Sequence, residues 1–269
     1  MTTLVAWVAC DGAKQASVYL ASDSRLSWED KGHWDLGRKI FPSEKYPDIL
    51  GYCGEALFCS QQLSQIITYI DSCRTFEGNE DPDVRSQMIY DLIKRSFGPY
   101  PKAFSLPSFS VIYLTRRAKF NFSAYVIKWS KKAGWSIETL NVGNQSSLIV
   151  VDGSGAKEYK SLYTSEIATS DFGTNSRGYF YALNRFIKRG IDPATGGSPQ
   201  LACLYNVGAA IKVGVVFDGE RYIYGLNIPA SEHVNDVRWV NETLESCSGI
   251  KLQRLLKAQP QPIPTKLLG

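Results

Sequence analysis

Ala21-Ser22-Asp23-Ser24-Arg25 closes an apolar, β-branched run over residues 16–22, so a strand ends in a carboxylate and a guanidinium near enough in sequence to share one polar cluster. Just upstream, residues 3–10 form a second run of the same kind, and Asp11-Gly12 between the two reads as a turn or short loop. The chain therefore opens directly into a sheet.

Downstream, short strands are predicted at 38–42 and 48–53. Leu57, Leu63, Ile66, Ile67 and Ile70 then recur at helical spacing. A second helix is marked by Asp81-Pro82 as its start signal, by Val84, Met88, Ile89, Leu92 and Ile93 on one face, and by Gly98-Pro99 near its end. From residue 108 the pattern returns to strands, at 109–114, 120–127, 135–142 and 148–151, with polar or glycine-containing breaks. A further helix is predicted over 176–188 from Tyr179, Leu183, Phe186 and Ile187, and strands over 201–207, 211–217 and 221–226 follow it. Helices that come in blocks between blocks of strands argue against alternating βαβ units and for an α+β arrangement of antiparallel sheets covered by helices. Residues 1–230 read as one domain. Residues 231–269 read as a C-terminal extension, with a short helix around Trp239 to Leu244 and an extended end at Gln259-Pro-Gln-Pro-Ile-Pro, either an arm or a partly disordered terminus.

Composition narrows the chemistry. The net charge of +4 is scattered, with no long basic run to track phosphates and no basic-aromatic platform, so nucleic acid is not an expected partner. No stretch of 18 consecutive apolar residues and no basic membrane-surface helix is present, which points away from membranes and toward the cytoplasm. The six cysteines show no CxxC pairs and read as reduced thiols. With only His33 and His233 in the chain, neither a multi-histidine zinc site nor a range of His-dependent triads can be built, and catalysis is pushed toward another base.

The N-terminus offers one. Trimming of Met1 before a small residue exposes Thr2, which then carries a hydroxyl and an α-amine together. Such an amine, with a pKa of roughly 7.7–8.0, accepts a hydroxyl proton near neutral pH. Met-Thr-Thr means little alone, and each of the other candidates has an ordinary reading: Asp23 and Arg25 as a surface ion pair, Lys39 as a solvated charge, the glycines as turns. Their joint order is more specific. The N-terminal Thr-Thr, the Asp23–Arg25 strand end, Lys39 fourteen residues after Arg25, and Gly51-Tyr-Cys-Gly-Glu-Ala together resemble a proteasome β-type subunit of the N-terminal-nucleophile hydrolases. Gly153-Ser154-Gly155 and Asp192-Pro-Ala-Thr195-Gly196-Gly197 are similar to two further signatures of that family, and the resemblance spans about residues 2–226.

The resemblance implies a four-layer αββα sandwich of two antiparallel sheets flanked by helices. It casts Thr2 as nucleophile, Lys39 as the cation beside it, Asp23 as the carboxylate that keeps Lys39 charged, and Gly54 as backbone donor to the oxyanion. Ser154, Asp192 and Thr195 would orient the amine, with Arg25 in support. Position 195 departs from the more frequent serine but keeps the hydroxyl, and the first strand–strand loop is longer than in typical members. Maturation would need only removal of Met1. By the same carry-over Leu26, Gly37, Phe41, Tyr52, Ala56 and Ser60 sit at the mouth of the substrate pocket, an uncharged set that favours an uncharged side chain at the cleavage position. No cofactor and no metal are implied. Expected partners are a peptide or protein substrate and further copies of the chain in a homo-oligomer, and an ATPase or other regulator stays open. Two rival readings keep the fold: an amidohydrolase acting on small amides, and a non-catalytic scaffold subunit.

Overall fold

Strands β1 (Thr3–Asp11) and β2 (Lys14–Ser22) pair antiparallel and are buried on both faces, which is why their sequences run almost continuously apolar. Leu4, Ala6 and Val8 of β1 point into one hydrophobic cluster and Val5 and Trp7 into another, as the two-residue period of a strand requires. In this computed structural model the described residues are 2–28, 32–72, 80–101, 108–170, 173 and 175–259.

After β2 come a short hairpin, β3 (Leu26–Ser27) with β4 (His33–Trp34), then β5 (Ile40–Pro42), β6 (Asp48–Gly54), α1 (Ala56–Ser72) and α2 (Pro82–Phe97). Strands β7 (Phe109–Ala118), β8 (Asn121–Ser130), β9 (Gly134–Leu140) and β10 (Ser147–Gly153) lead to α3 (Ala156–Leu162), which continues as a π-helical turn over Tyr163–Ile167, and to α4 (Arg177–Arg189). The chain closes with β11 (Gln200–Tyr205), β12 (Ile211–Phe217), β13 (Glu220–Ile223), β14 (Leu226–Ile228) and β15 (Arg238–Val240). One sheet runs β10-β1-β2-β11-β12-β13-β14, every neighbouring pair antiparallel, with β15 added parallel to β12. Another is the meander β5-β6-β7-β8-β9. The fold is α+β with mostly antiparallel sheets and, among the described residues, four α-helices.

Three clusters carry most of the core. Leu4, Leu20 and Ala202 of the first sheet meet Ile49, Ile112 and Val126 of the second in one cluster. The opposite face of the first sheet, with Val5, Tyr19 and Leu201, packs against Tyr159 of α3 and Phe180, Leu183 and Phe186 of α4. The opposite face of the second, with Leu50, Val111 and Tyr113, packs against Leu63 and Ile66 of α1 and Ile89 and Ile93 of α2. Local signals set the helix limits: Asp81 accepts the Asp83 amide at 3.0 Å with Pro82 beginning α2, and Gly190, at φ +58°, ends α4 in the left-handed region.

A buried polar trio ties α2 to the meander. Tyr113 donates its hydroxyl to Asp48 Oδ1 at 2.6 Å, and the Arg85 guanidinium pairs with Asp48 Oδ2. All three side chains are essentially inaccessible, and burial pushes the Asp48 carboxyl above its ordinary range against the opposing pull of Arg85. Arg85→Met is expected to cost about 3–5 kcal/mol at neutral pH, because it leaves a carboxylate buried without its cation. Burial raises the folded-state pKa, so the folded form holds the proton more tightly than the unfolded form. The variant should therefore regain stability as pH falls through that raised value, and urea unfolding at two pH values checks this.

The described part of the C-terminal extension is packed against the rest of the chain. Trp239, Val240 and Cys247 are buried, and Asn184 of α4 donates to the Glu242 carbonyl at 3.1 Å. The short helix expected around Trp239 to Leu244 is absent: Arg238–Val240 form β15 on β12, and a turn follows. Asn241 Oδ1 accepts the Thr243 and Glu245 amides, an arrangement that competes with helix, and Leu244 sits at φ +61°. The proline segment from Pro260 onward lies outside the described residues. No helix among the described residues is long and apolar enough to cross a membrane.

Candidate active site

Asp23 lies just past the end of β2, fully buried, and four donors converge on it. Its Oδ1 accepts Lys39 Nζ at 2.9 Å and the Thr3 amide at 3.1 Å; its Oδ2 accepts the Arg25 and Gly196 amides, each at 3.0 Å. The ammonium of Lys39 and the peptide nitrogen that joins Thr2 to Thr3 therefore share one carboxylate oxygen. Lys39 is also fully buried, and burial pushes its ammonium below the ordinary lysine range, with Asp23 acting in the opposite direction. The Asp23 contact holds the Lys39 side chain in a fixed, solvent-inaccessible place beside the start of the chain.

Thr2 is buried, immediately ahead of β1, where Thr3 pairs with Gly153 of β10. Gly153 adopts φ +98°, and a side chain on it would collide with the Thr2 carbonyl, so a glycine is needed for the two strands to close around the N-terminus. The following Ser154 donates to Asp192 Oδ2 at 2.7 Å, and Thr195 donates to the same oxygen at 2.8 Å. The Thr195 hydroxyl lies 2.7 Å from that of Thr3. Its only proton goes to Asp192, so Thr3 is the donor to Thr195. Thr3 is thus gripped twice, by Asp23 through its amide and by Thr195 through its hydroxyl.

Gly54 ends β6 at φ +99°, directly before α1, whose first turn is capped by Glu55: its carboxylate accepts the Leu57 amide at 3.1 Å and the Phe58 amide at 2.6 Å. A side chain at Gly54 would strike the Ser108 carbonyl. The backbone here stands at the positive end of a 17-residue helix, which suits a donor to developing negative charge.

Arg25 differs from the expectation. Its backbone amide joins the Asp23 cluster, but its guanidinium forms a bidentate pair with Asp35, Nε–Oδ1 2.7 Å and Nη2–Oδ2 2.8 Å, and reaches the Pro193 carbonyl at 3.0 Å. Arg25 holds the Asp35 carboxyl below its ordinary range. The pair clamps the β3–β4 hairpin to the 192–197 loop rather than sharing a carboxylate with Lys39.

Of the residues expected at the substrate mouth, Phe41 and Tyr52 stack with ring centroids 6.4 Å apart and pack in one cluster with Ala56. Leu26 and Gly37 lie against each other, while Ser60, on α1, turns its hydroxyl to the Leu57 carbonyl at 3.3 Å. Three residues that sequence reasoning missed complete the site: Thr3, Asp35 and Gln200. Buried Gln200, at the start of β11, accepts the Lys39 amide at 3.0 Å and donates to the Gly37 carbonyl at 2.7 Å and the Asp23 carbonyl at 3.2 Å, so it fixes the backbone on both sides of the ion pair. A glutamine opening an otherwise apolar strand was the one signal available for it.

The chain matches no family model, and no curated protein matches it.

Proposed function

We propose that the chain is an N-terminal threonine hydrolase of the proteasome type, cleaving peptide bonds in peptides or proteins within a homo-oligomer. The observation that carries this reading is the shared Asp23 oxygen, which brings the Lys39 ammonium and the Thr2–Thr3 peptide to one buried point. The sharing of one cluster by both sheets, with helices on the other face of each, supports the four-layer αββα sandwich that such enzymes use.

In this reading, removal of Met1 frees the Thr2 amine. It takes the hydroxyl proton as Thr2 Oγ1 bonds to the scissile carbonyl carbon. The Lys39 ammonium favours the alkoxide-like oxygen, and the Gly54 N–H donates to the oxyanion, a type of contact worth about 2.7–4 kcal/mol in the transition state. As the C–N bond breaks, the proton passes from the Thr2 ammonium to the leaving amine, and water then cleaves the ester to regenerate Thr2. Asp23 keeps Lys39 charged, while Asp192, with Ser154 and Thr195, holds the N-terminal strand in place. The rate should rise with pH as the Thr2 amine loses its proton, starting below the usual 7.7–8.0 because a neighbouring ammonium disfavours the charged amine. It should fall again once Lys39 loses its proton, at a pH below the ordinary lysine value. A bell-shaped kcat/KM profile is expected, and a profile flat across the alkaline range contradicts the role of Lys39.

The test is a panel of fluorogenic peptides and small amides. Cleavage of peptides with an uncharged residue at the cut position, several-fold faster than of those with acidic or basic residues, fits a mouth formed by Leu26, Phe41, Tyr52 and Ala56. Turnover of small amides alone overturns the peptidase reading in favour of an amidohydrolase on the same fold.

A further inference from the structure

Immediately beside the catalytic candidate Lys39, Arg38 sends its side chain to a separate place. Two aromatic rings pack on its guanidinium, Phe41 at 4.6 Å and Tyr224 at 4.9 Å, and its Nε donates to the Ile40 carbonyl at 3.0 Å. These contacts orient the guanidinium fork of an otherwise exposed residue. It opens onto a cavity of about 290 Å³, walled by Arg38, Phe41, Glu44 and Lys45 on one side and by Thr68 and Asp71 of α1 on the other.

Charge balance around this cavity is one-sided. Asp71 is already occupied by the Ser43 hydroxyl at 2.5 Å and by the Glu44 and Lys45 amides at 3.1 and 3.2 Å. Glu44 is paired with Lys212 at 2.8 Å, which holds its carboxyl below the ordinary range. Among the described residues, by contrast, neither Arg38 nor Lys45 has a carboxylate within ion-pair distance. Asp71 keeps its charge, and Glu44 also acts on Arg38 at longer range, but Arg38, Lys45 and Lys212 outnumber these two carboxylates around the cavity. A guanidinium pre-oriented by stacking, with its terminal N–H edge left over, matches the planar, two-oxygen geometry of a carboxylate or phosphate. The volume lies at the small end for ligand sites and admits a compact anion or the end of a chain rather than a large metabolite.

We propose that the Arg38–Lys45 cavity is a binding site for a compact oxyanion, a free phosphate-type ion or the carboxylate at a chain terminus, distinct from the Thr2–Lys39 site. The two sites share a wall: the Arg38 carbonyl accepts the Tyr52 hydroxyl at 3.3 Å, and Phe41, which stacks on Tyr52, also stacks on Arg38. Occupancy of the cavity therefore bears on the residues placed at the substrate mouth. The binding itself does not depend on whether Thr2 is a nucleophile.

The test is titration calorimetry of the full chain, at ionic strength held constant with chloride. The probes are inorganic phosphate, an acetylated dipeptide acid and the corresponding dipeptide amide. Saturable binding of phosphate or of the acid, with the amide inert, is expected, weakened roughly tenfold or more in Arg38→Gln and in Lys45→Gln. Preference for phosphate assigns a free ion, and preference for the acid assigns a chain terminus. Lys45 is exposed, so Lys45→Gln does not put folding at risk. Weakening in that variant supports the site even if Arg38→Gln misfolds. No saturable binding of either anion, or binding undiminished in Lys45→Gln, overturns it.

Discussion

Thr2→Ala is expected to fold like the parent chain and to lose hydrolysis by on the order of 10⁴-fold or more, with kcat carrying the loss. The substitution removes one hydroxyl. It leaves in place the contacts of Thr3 that position the N-terminal strand, namely its amide on Asp23 and its hydroxyl on Thr195. Thr2→Ser keeps the oxygen and should retain measurable turnover. A Thr2→Ala chain that cleaves peptides at the parental rate would remove Thr2 from the chemistry and direct attention to another group.

Asp23→Ala should act on the fold itself. Four donors lose their acceptor at once, and the Lys39 ammonium is left fully buried without a counter-charge. Breaking a buried ion pair from one side costs about 3–5 kcal/mol, which for a chain of this size lowers Tm by roughly 10 °C. The backbone at Thr3, Arg25 and Gly196 loosens with it, so activity disappears even where folded protein remains. Adding Lys39→Met to Asp23→Ala should recover part of the stability, because the stranded charge goes, but none of the activity. Thermal unfolding of the two variants side by side separates the roles: an equal Tm in both would mean that the stranded Lys39 charge is not what destabilises Asp23→Ala.

Much of this arrangement is written in the sequence where periodicity is strong. The opening strands, the meander over 109–140 and the helices at 56–72, 82–97 and 177–189 bury repeating apolar positions, and such a pattern allows few alternatives. The segment at 239–244 misleads for the converse reason. Trp239, Val240 and Leu244 have helical spacing, but their conformation is set by partners distant in sequence: β12 claims residues 238–240, and the Asn241 side chain then turns the chain back. The hairpin β3–β4 and the π-helical turn after α3 leave no periodic trace of their own. Within the site, Asp23, Lys39 and the Asp192–Thr195 segment stand out in the sequence only through the family resemblance, since nothing in their spacing alone distinguishes them from solvated polar residues. Asp35 carries no mark in the sequence at all. Its pairing with Arg25 spans a hairpin that only the folded chain brings together, and the consequence is that the Arg25 guanidinium braces a loop.

The most direct test of the central claim is the intact mass of the purified chain before and after exposure to a threonine-directed epoxyketone. The account predicts a species lacking Met1 that gains one inhibitor mass, with the adduct mapping to Thr2 and absent from Thr2→Ala. A chain that retains Met1 and takes up no inhibitor would contradict it, and would leave a scaffold subunit built on the same sheets and helices.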